Sequence, residues 1–146
     1  MPRSKEGQYL MHPESFQTLL SMLSEEKLNR MISETNILDV GSYLLYQNIY
    51  DIAVGDKTKK SQAERLVRSV KQILKSMNTI ICIPDFYIAI SKFGRINRLS
   101  FIDAAHVYIS MRQKLTLIVR DKQQAENLGR YTRCIDATSF SNSSMN

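Results

Sequence analysis

The run Leu115-Thr116-Leu117-Ile118-Val119 limits this chain's fold more than any other stretch. It is short, apolar and rich in β-branched residues, so it reads as a strand. The flanks decide what kind of sheet it joins. Before it, Ser100 caps a helix over residues 101–113. After it, residues 123–128 form a short helix ended by Gly129, and residues 131–136 give a last strand. Residues 8–11 are a further short strand, and His12-Pro13 opens a helix in which Phe16, Leu19, Leu20 and Leu23 share one face. Ser24 caps a second helix to about residue 33, and residues 36–40 are briefly extended. A strand, a block of helices, then strand–helix–strand predicts an α/β fold with a small, mostly parallel sheet flanked by helices.

The middle of the chain reads as helical. Leu44, Leu45, Ile49, Ile52 and Ala53 form a stripe over residues 41–54. Residues 62–77 hold the helical period for four turns through Ala63, Leu66, Val67, Val70, Ile73, Leu74 and Met77. Residues 79–83 are a strand or a buried helix entry, and Pro84 starts a helix to about residue 93. Residues 1–7 read as a loose polar segment, residues 8–138 as one domain, and residues 139–146 as a polar tail with one aromatic that can dock.

The chain's 146 residues suffice for a real core without disulfides or a structural metal. Its two cysteines, Cys82 and Cys134, make no disulfide framework and read as reduced core thiols of a cytoplasmic protein. No apolar run approaches the ~18 residues of a membrane span, and residues 1–7 lack the apolar centre of a secretory signal. The net charge of +6 favours an acidic partner, either nucleic acid or an acidic peptide.

In parallel sheets the site lies at the carboxyl ends of the strands. Those ends deliver His12 and Asp121, with Asp103 at a helix start. The stretch Ser100-Phe101-Ile102-Asp103-Ala104-Ala105-His106-Val107-Tyr108, followed by Leu115–Lys122, resembles the second half of a PIN domain. The nearest type is the VapC toxin of archaeal VapBC toxin–antitoxin pairs. The resemblance spans residues 8–138 and implies a three-layer sandwich and a dimer. It also implies a set of carboxylates holding Mg²⁺ or Mn²⁺ for RNA hydrolysis, where the metal activates water and neutralises phosphate.

Asp103 and Asp121 match the third and fourth acids of that set. His12 stands where the first is expected. In Tyr43-Leu44-Leu45-Tyr46-Gln47-Asn48, Leu44 stands in the second's place and Gln47 in that of the motif's asparagine. Val119 replaces the threonine of a Thr-x-Asp motif. Two carboxylates with a histidine and a leucine suit Mg²⁺ poorly. The resemblance therefore implies a degenerate nuclease site and no resident cofactor, with Mg²⁺ or Mn²⁺ if activity survives.

Each of these residues also has a plainer reading. Asp103 is a first-turn acid complementing a helix dipole, and Asp121 is a turn aspartate. His12 is a cleft-lining donor, and His106 an ordinary helix histidine. The sharper alternative groups His12, Asp103, His106 and Asp121 as ligands for Zn²⁺, Mn²⁺ or Ni²⁺. Glu14 is a further candidate, reaching round Pro13 to replace a missing carboxylate. Lys57, Lys59, Lys60, Arg65, Arg68, Lys71 and Lys75 form either a solvated face or a phosphate grip, with Lys92, Arg95 and Arg98 adding to the field.

Three functions fit. The first is a catalytically degenerate VapC-like protein that binds itself, an antitoxin-like peptide, or RNA or DNA. Apolar residues at 43–50 or 86–90 are available for its dimer. The second is an active metal-dependent endoribonuclease with a non-standard acidic site. The third is a basic α/β interaction module without chemistry.

Overall fold

Strands of two to four residues form the centre of the computed structural model, which describes residues 8–35, 37–39, 68, 78–79 and 84–144. In chain order they are β1 (Tyr9–Met11), β2 (Ile37–Asp39), β3 (Asn78–Thr79), β4 (Thr116–Val119) and β5 (Cys134–Asp136). The sheet order is β3-β2-β1-β4-β5, and every pairing is parallel. Leu10 sits beside Leu38 on one side and Leu117 on the other, and Ile118 sits between Met11 and Ile135.

Alternation along the strands splits the core in two, because successive side chains leave opposite faces. Leu10, Leu117 and Val119 pack with Val107, Ile109, Leu115 and Leu128. Met11 and Ile118 pack on the other face with Phe16, Leu19, Leu28, Ile32 and Phe140. Helices α1 (Pro13–Met22), α2 (Glu25–Thr35) and α6 (Ala137–Ser144) cover this second face. Helices α4 (Phe101–Gln113) and α5 (Lys122–Leu128) cover the first, with α3 (Pro84–Asn97) packed outside α4. The expected α/β architecture, a small parallel sheet between helical layers, is observed. Among the described residues no helix is long and apolar enough to cross a membrane.

Local chemistry sets the helix boundaries. The His12 side chain, Ser100 and Asp121 cap α1, α4 and α5, accepting from the backbone N–H groups of Glu14, Asp103 and Gln124. Lys114 ends α4 in the left-handed region at φ 57°, a conformation that disfavours side chains other than Gly, Asn or Asp.

Three boundaries differ from expectation by several residues. Helix α3 continues past residue 93 to Asn97, because Gly94 allows close helix packing; a Cβ there would lie 2.9 Å from the Ala104 Cβ. The last strand starts at Cys134 rather than 131, because the N–H groups of Tyr131 and Thr132 turn back to the Leu128 carbonyl. The polar tail expected from residue 139 is instead most of α6. Asp136 accepts from the Ser139 N–H at 3.0 Å, and Phe140 is buried edge-on against the Tyr9 ring. Phe140 and Ala137 give this polar segment an apolar side that anchors it to the core.

Residues 1–7, the expected helices at 41–54 and 62–77, and Cys82 lie outside the described residues, apart from Arg68, which is helical and exposed. Cys134 is a free, half-buried thiol, and burial pushes its pKa up to about 11. It is therefore an inert thiol rather than a nucleophile.

Candidate functional site

Strand order reverses between β1 and β4, so the chain leaves these neighbours in opposite directions and opens a crevice at their carboxyl ends. β1 delivers His12 and, in the first turn of α1, Glu14. β4 delivers Arg120 and Asp121. Asp103, in the first turn of α4, closes the group.

His12 is fully buried and engaged at both ring nitrogens. Its Nδ1 accepts the Glu14 backbone N–H at 3.2 Å. The proton of neutral His12 therefore sits on Nε2, which donates to Asp103 Oδ1 at 2.7 Å. This bond, the largest influence, holds the Asp103 carboxyl below its ordinary range against the opposing effect of burial. With Nδ1 capped by backbone and no exposed surface, His12 has no free lone pair to present to a substrate as a base.

Arg120 organises the other half. It pairs with Glu14 Oε2 and donates Nε–H to Asp121 Oδ2 at 2.9 Å. Gln124 is buried beneath them. Its Oε1 accepts the Arg120 backbone N–H at 2.8 Å, and its Nε2 donates to Glu14 Oε2 at 3.2 Å. Asp121 is held below its usual pKa first by the Gln124 backbone N–H and then by Arg120. Glu14, Asp103 and Asp121 thus each meet a donor from the protein.

His106 lies behind His12, with ring centroids 5.0 Å apart. Its Nδ1–H donates to the Ile102 carbonyl at 2.7 Å, while Nε2 has no hydrogen-bond partner among the described residues. Burial, reinforced by neighbouring His12, lowers its pKa to about 3, so it is neutral at physiological pH.

The structure therefore gathers His12, Glu14, Asp103, Asp121 and His106 in one region. Leu44, Lys57, Lys59, Lys60, Arg65, Lys71 and Lys75 lie outside the described residues. Ligand atoms of His12, Glu14 and Asp103 fall within 4.8 Å of one another, the one grouping of three among the described residues that suits a cation. Occupying it requires His12 to give up its Nε2 proton or the Glu14 N–H. That donor set, with one imidazole already bonded twice, fits Mg²⁺ poorly.

Sequence reasoning missed Arg120 and Gln124. Arg120 stands next to Asp121, but its other partner, Glu14, is 106 residues away. No local pattern signals such a pair.

No protein-family profile matches the sequence, and no curated protein matches it. Among solved structures, the chain is similar to PAE2754 from Pyrobaculum aerophilum, known from a crystal structure. The TM-score is 0.66 at 19% identity, covering 90% of this chain and 92% of that one. At this identity the likeness establishes a shared fold.

Proposed function

We propose that this chain is a VapC-like PIN-domain protein whose nuclease centre has been replaced by an internally hydrogen-bonded polar cluster, and that it acts by binding. The observation that carries this reading is the pairing of each described site carboxylate. His12 serves Asp103, and Arg120 serves both Glu14 and Asp121. A hydrolytic metal centre keeps its carboxylates available, and their mutual repulsion is relieved by the cation. Here internal donors already supply part of that relief.

The partner classes are RNA or DNA, an antitoxin-like peptide, and a second copy of the chain. The overall charge of +6 favours the acidic ones. The test is incubation of single-stranded RNA with Mg²⁺ or Mn²⁺. Cleavage is expected at background. Metal-dependent cutting that disappears in Asp103→Asn would overturn the reading.

A second reading, an active endoribonuclease using Mg²⁺ or Mn²⁺, is favoured by one observation: the proximity of His12, Glu14 and Asp103. The same assay with Glu14→Gln decides it, because that reading makes Glu14 a ligand.

A further inference from the structure

At the opposite end of the sheet, the turn from α4 into β4 lies beside the segment entering β5. Between them is an open cavity of about 500 Å³, within the usual size range of small-molecule sites. Ser110, Lys114, Leu115, Tyr131, Thr132 and Arg133 line it. Four observations give it a chemical character.

Lys114 and Arg133 are cationic, no lining residue is acidic, and neither cation forms an ion pair with a described residue. Ser110 is buried, and its Oγ has no hydrogen-bond partner among the described residues. Further hydroxyls come from Thr116, Tyr131 and Thr132. The walls are also held in place. The Leu115 N–H donates to Ser110 O at 2.9 Å, the Leu117 N–H to Arg133 O at 2.9 Å, and the Tyr131 N–H to Leu128 O at 3.0 Å.

Two cations without an ion pair to a described residue, beside Thr116, Tyr131 and Thr132, form a receptor for an oxyanion. The left-handed Lys114 adds to this. A glycine would satisfy that backbone without strain, yet the position holds a long cation on the cavity wall.

We infer that the cavity between the α4–β4 turn and the β5 entry binds a small phosphate-bearing molecule. Lys114 and Arg133 take the phosphate charge. Tetrahedral phosphate suits the arrangement better than a carboxylate, because it presents oxygens in several directions to cations and hydroxyls on different walls. This site stands apart from the cluster at the strands' carboxyl ends and does not depend on the function proposed for it.

Calorimetric titration of the full chain with inorganic phosphate at fixed ionic strength tests the inference, with acetate as the carboxylate probe. Saturable phosphate binding and a rise in melting temperature are expected, with neither produced by acetate. Lys114→Gly is the informative variant. It relieves the left-handed strain, so the empty protein is expected to melt at the same temperature or higher, while phosphate binding weakens about tenfold or more. Arg133→Gln should weaken binding similarly. Absence of saturable phosphate binding, equal response to acetate, or unchanged affinity in both Lys114→Gly and Arg133→Gln would overturn the proposal.

Discussion

At the carboxyl ends of β1 and β4, Glu14, Asp103 and Asp121 each meet a donor on the protein. At the amino ends of β4 and β5, Lys114 and Arg133 form no ion pair with a described residue, and the Ser110 hydroxyl has no described partner. Parallel α/β sheets ordinarily bind ligands at the carboxyl ends. Here that end is knitted together by its own side chains, while the other end leaves polar groups unsatisfied. Topology locates a crevice, and the pairing of the polar groups within it indicates whether an outside ion is needed.

The largest expected effect comes from His12→Asp. The substitution removes a buried donor and sets a second carboxylate against Asp103, at a cost of about 3–5 kcal/mol in metal-free buffer. Millimolar Mn²⁺ should recover part of it, because two facing carboxylates suit a hard cation. Chemical denaturation with and without Mn²⁺ measures both effects. A variant as stable as the parent in chelator would show that the His12–Asp103 bond does not hold this end together.

Acid comes next. His106 has a folded-state pKa of about 3 against an ordinary 6.5. The unfolded chain therefore takes up its proton first as pH falls. The stability linked to neutral His106 is complete above about 6.5 and is lost progressively from there toward 3, at roughly 1.4 kcal/mol per pH unit. Between pH 6.5 and 4.5 the loss is roughly 2–3 kcal/mol. His106→Asn, which keeps a donor for the Ile102 carbonyl, should flatten that slope. A parent protein equally stable at pH 7 and 4.5 would mean that His106 is reached by solvent.

Arg120→Ala should be milder. Its ion pairs are largely exposed, so stability should change by about 1 kcal/mol or less. Calorimetry should nevertheless show tighter Mn²⁺ binding, because Glu14 and Asp121 lose the cation that serves them. Unchanged Mn²⁺ affinity would break the contrast between an internally paired and an unsatisfied end. The smallest effect is that of Mg²⁺ on the parent protein. Stabilisation follows RT ln(1 + [L]/Kd), so low-millimolar Mg²⁺ should scarcely move the melting temperature. A rise of several degrees would show that a cation site persists.

Much of this architecture was legible in local pattern. Ser100 announced a helix start, and the 115–119 run announced a central strand, because capping and strand formation depend on near neighbours. Asp103, Asp121 and His12 were legible as candidates because they follow strands or open helices. What they pair with was not legible. Whether Glu14 is a ligand or a counter-ion depends on Arg120, brought to it by adjacent parallel strands. The C-terminal helix was missed because its hydroxyl-rich composition resembles a tail, and its docking depends on Phe140 meeting Tyr9, far away in sequence. The helix from Pro84 was expected to end at about residue 93, but Gly94 continues it and admits a neighbouring helix, a role no local pattern signals.

Gly94 touches the backbone neighbour of a charged residue it never meets. Its missing side chain lets α3 rest on Ala104, and Ala104 follows Asp103. The depth at which α4 lies over the sheet, and with it the reach of Asp103 to His12, is thus adjusted from the outer layer. Any larger residue at position 94 would act as a shim, pressing α4 toward the sheet or α3 away from it, and so would shift the acid against its imidazole without altering either group. The cluster's setting is in this sense remote-controlled: changes far from the crevice can retune it while every residue that lines it stays the same.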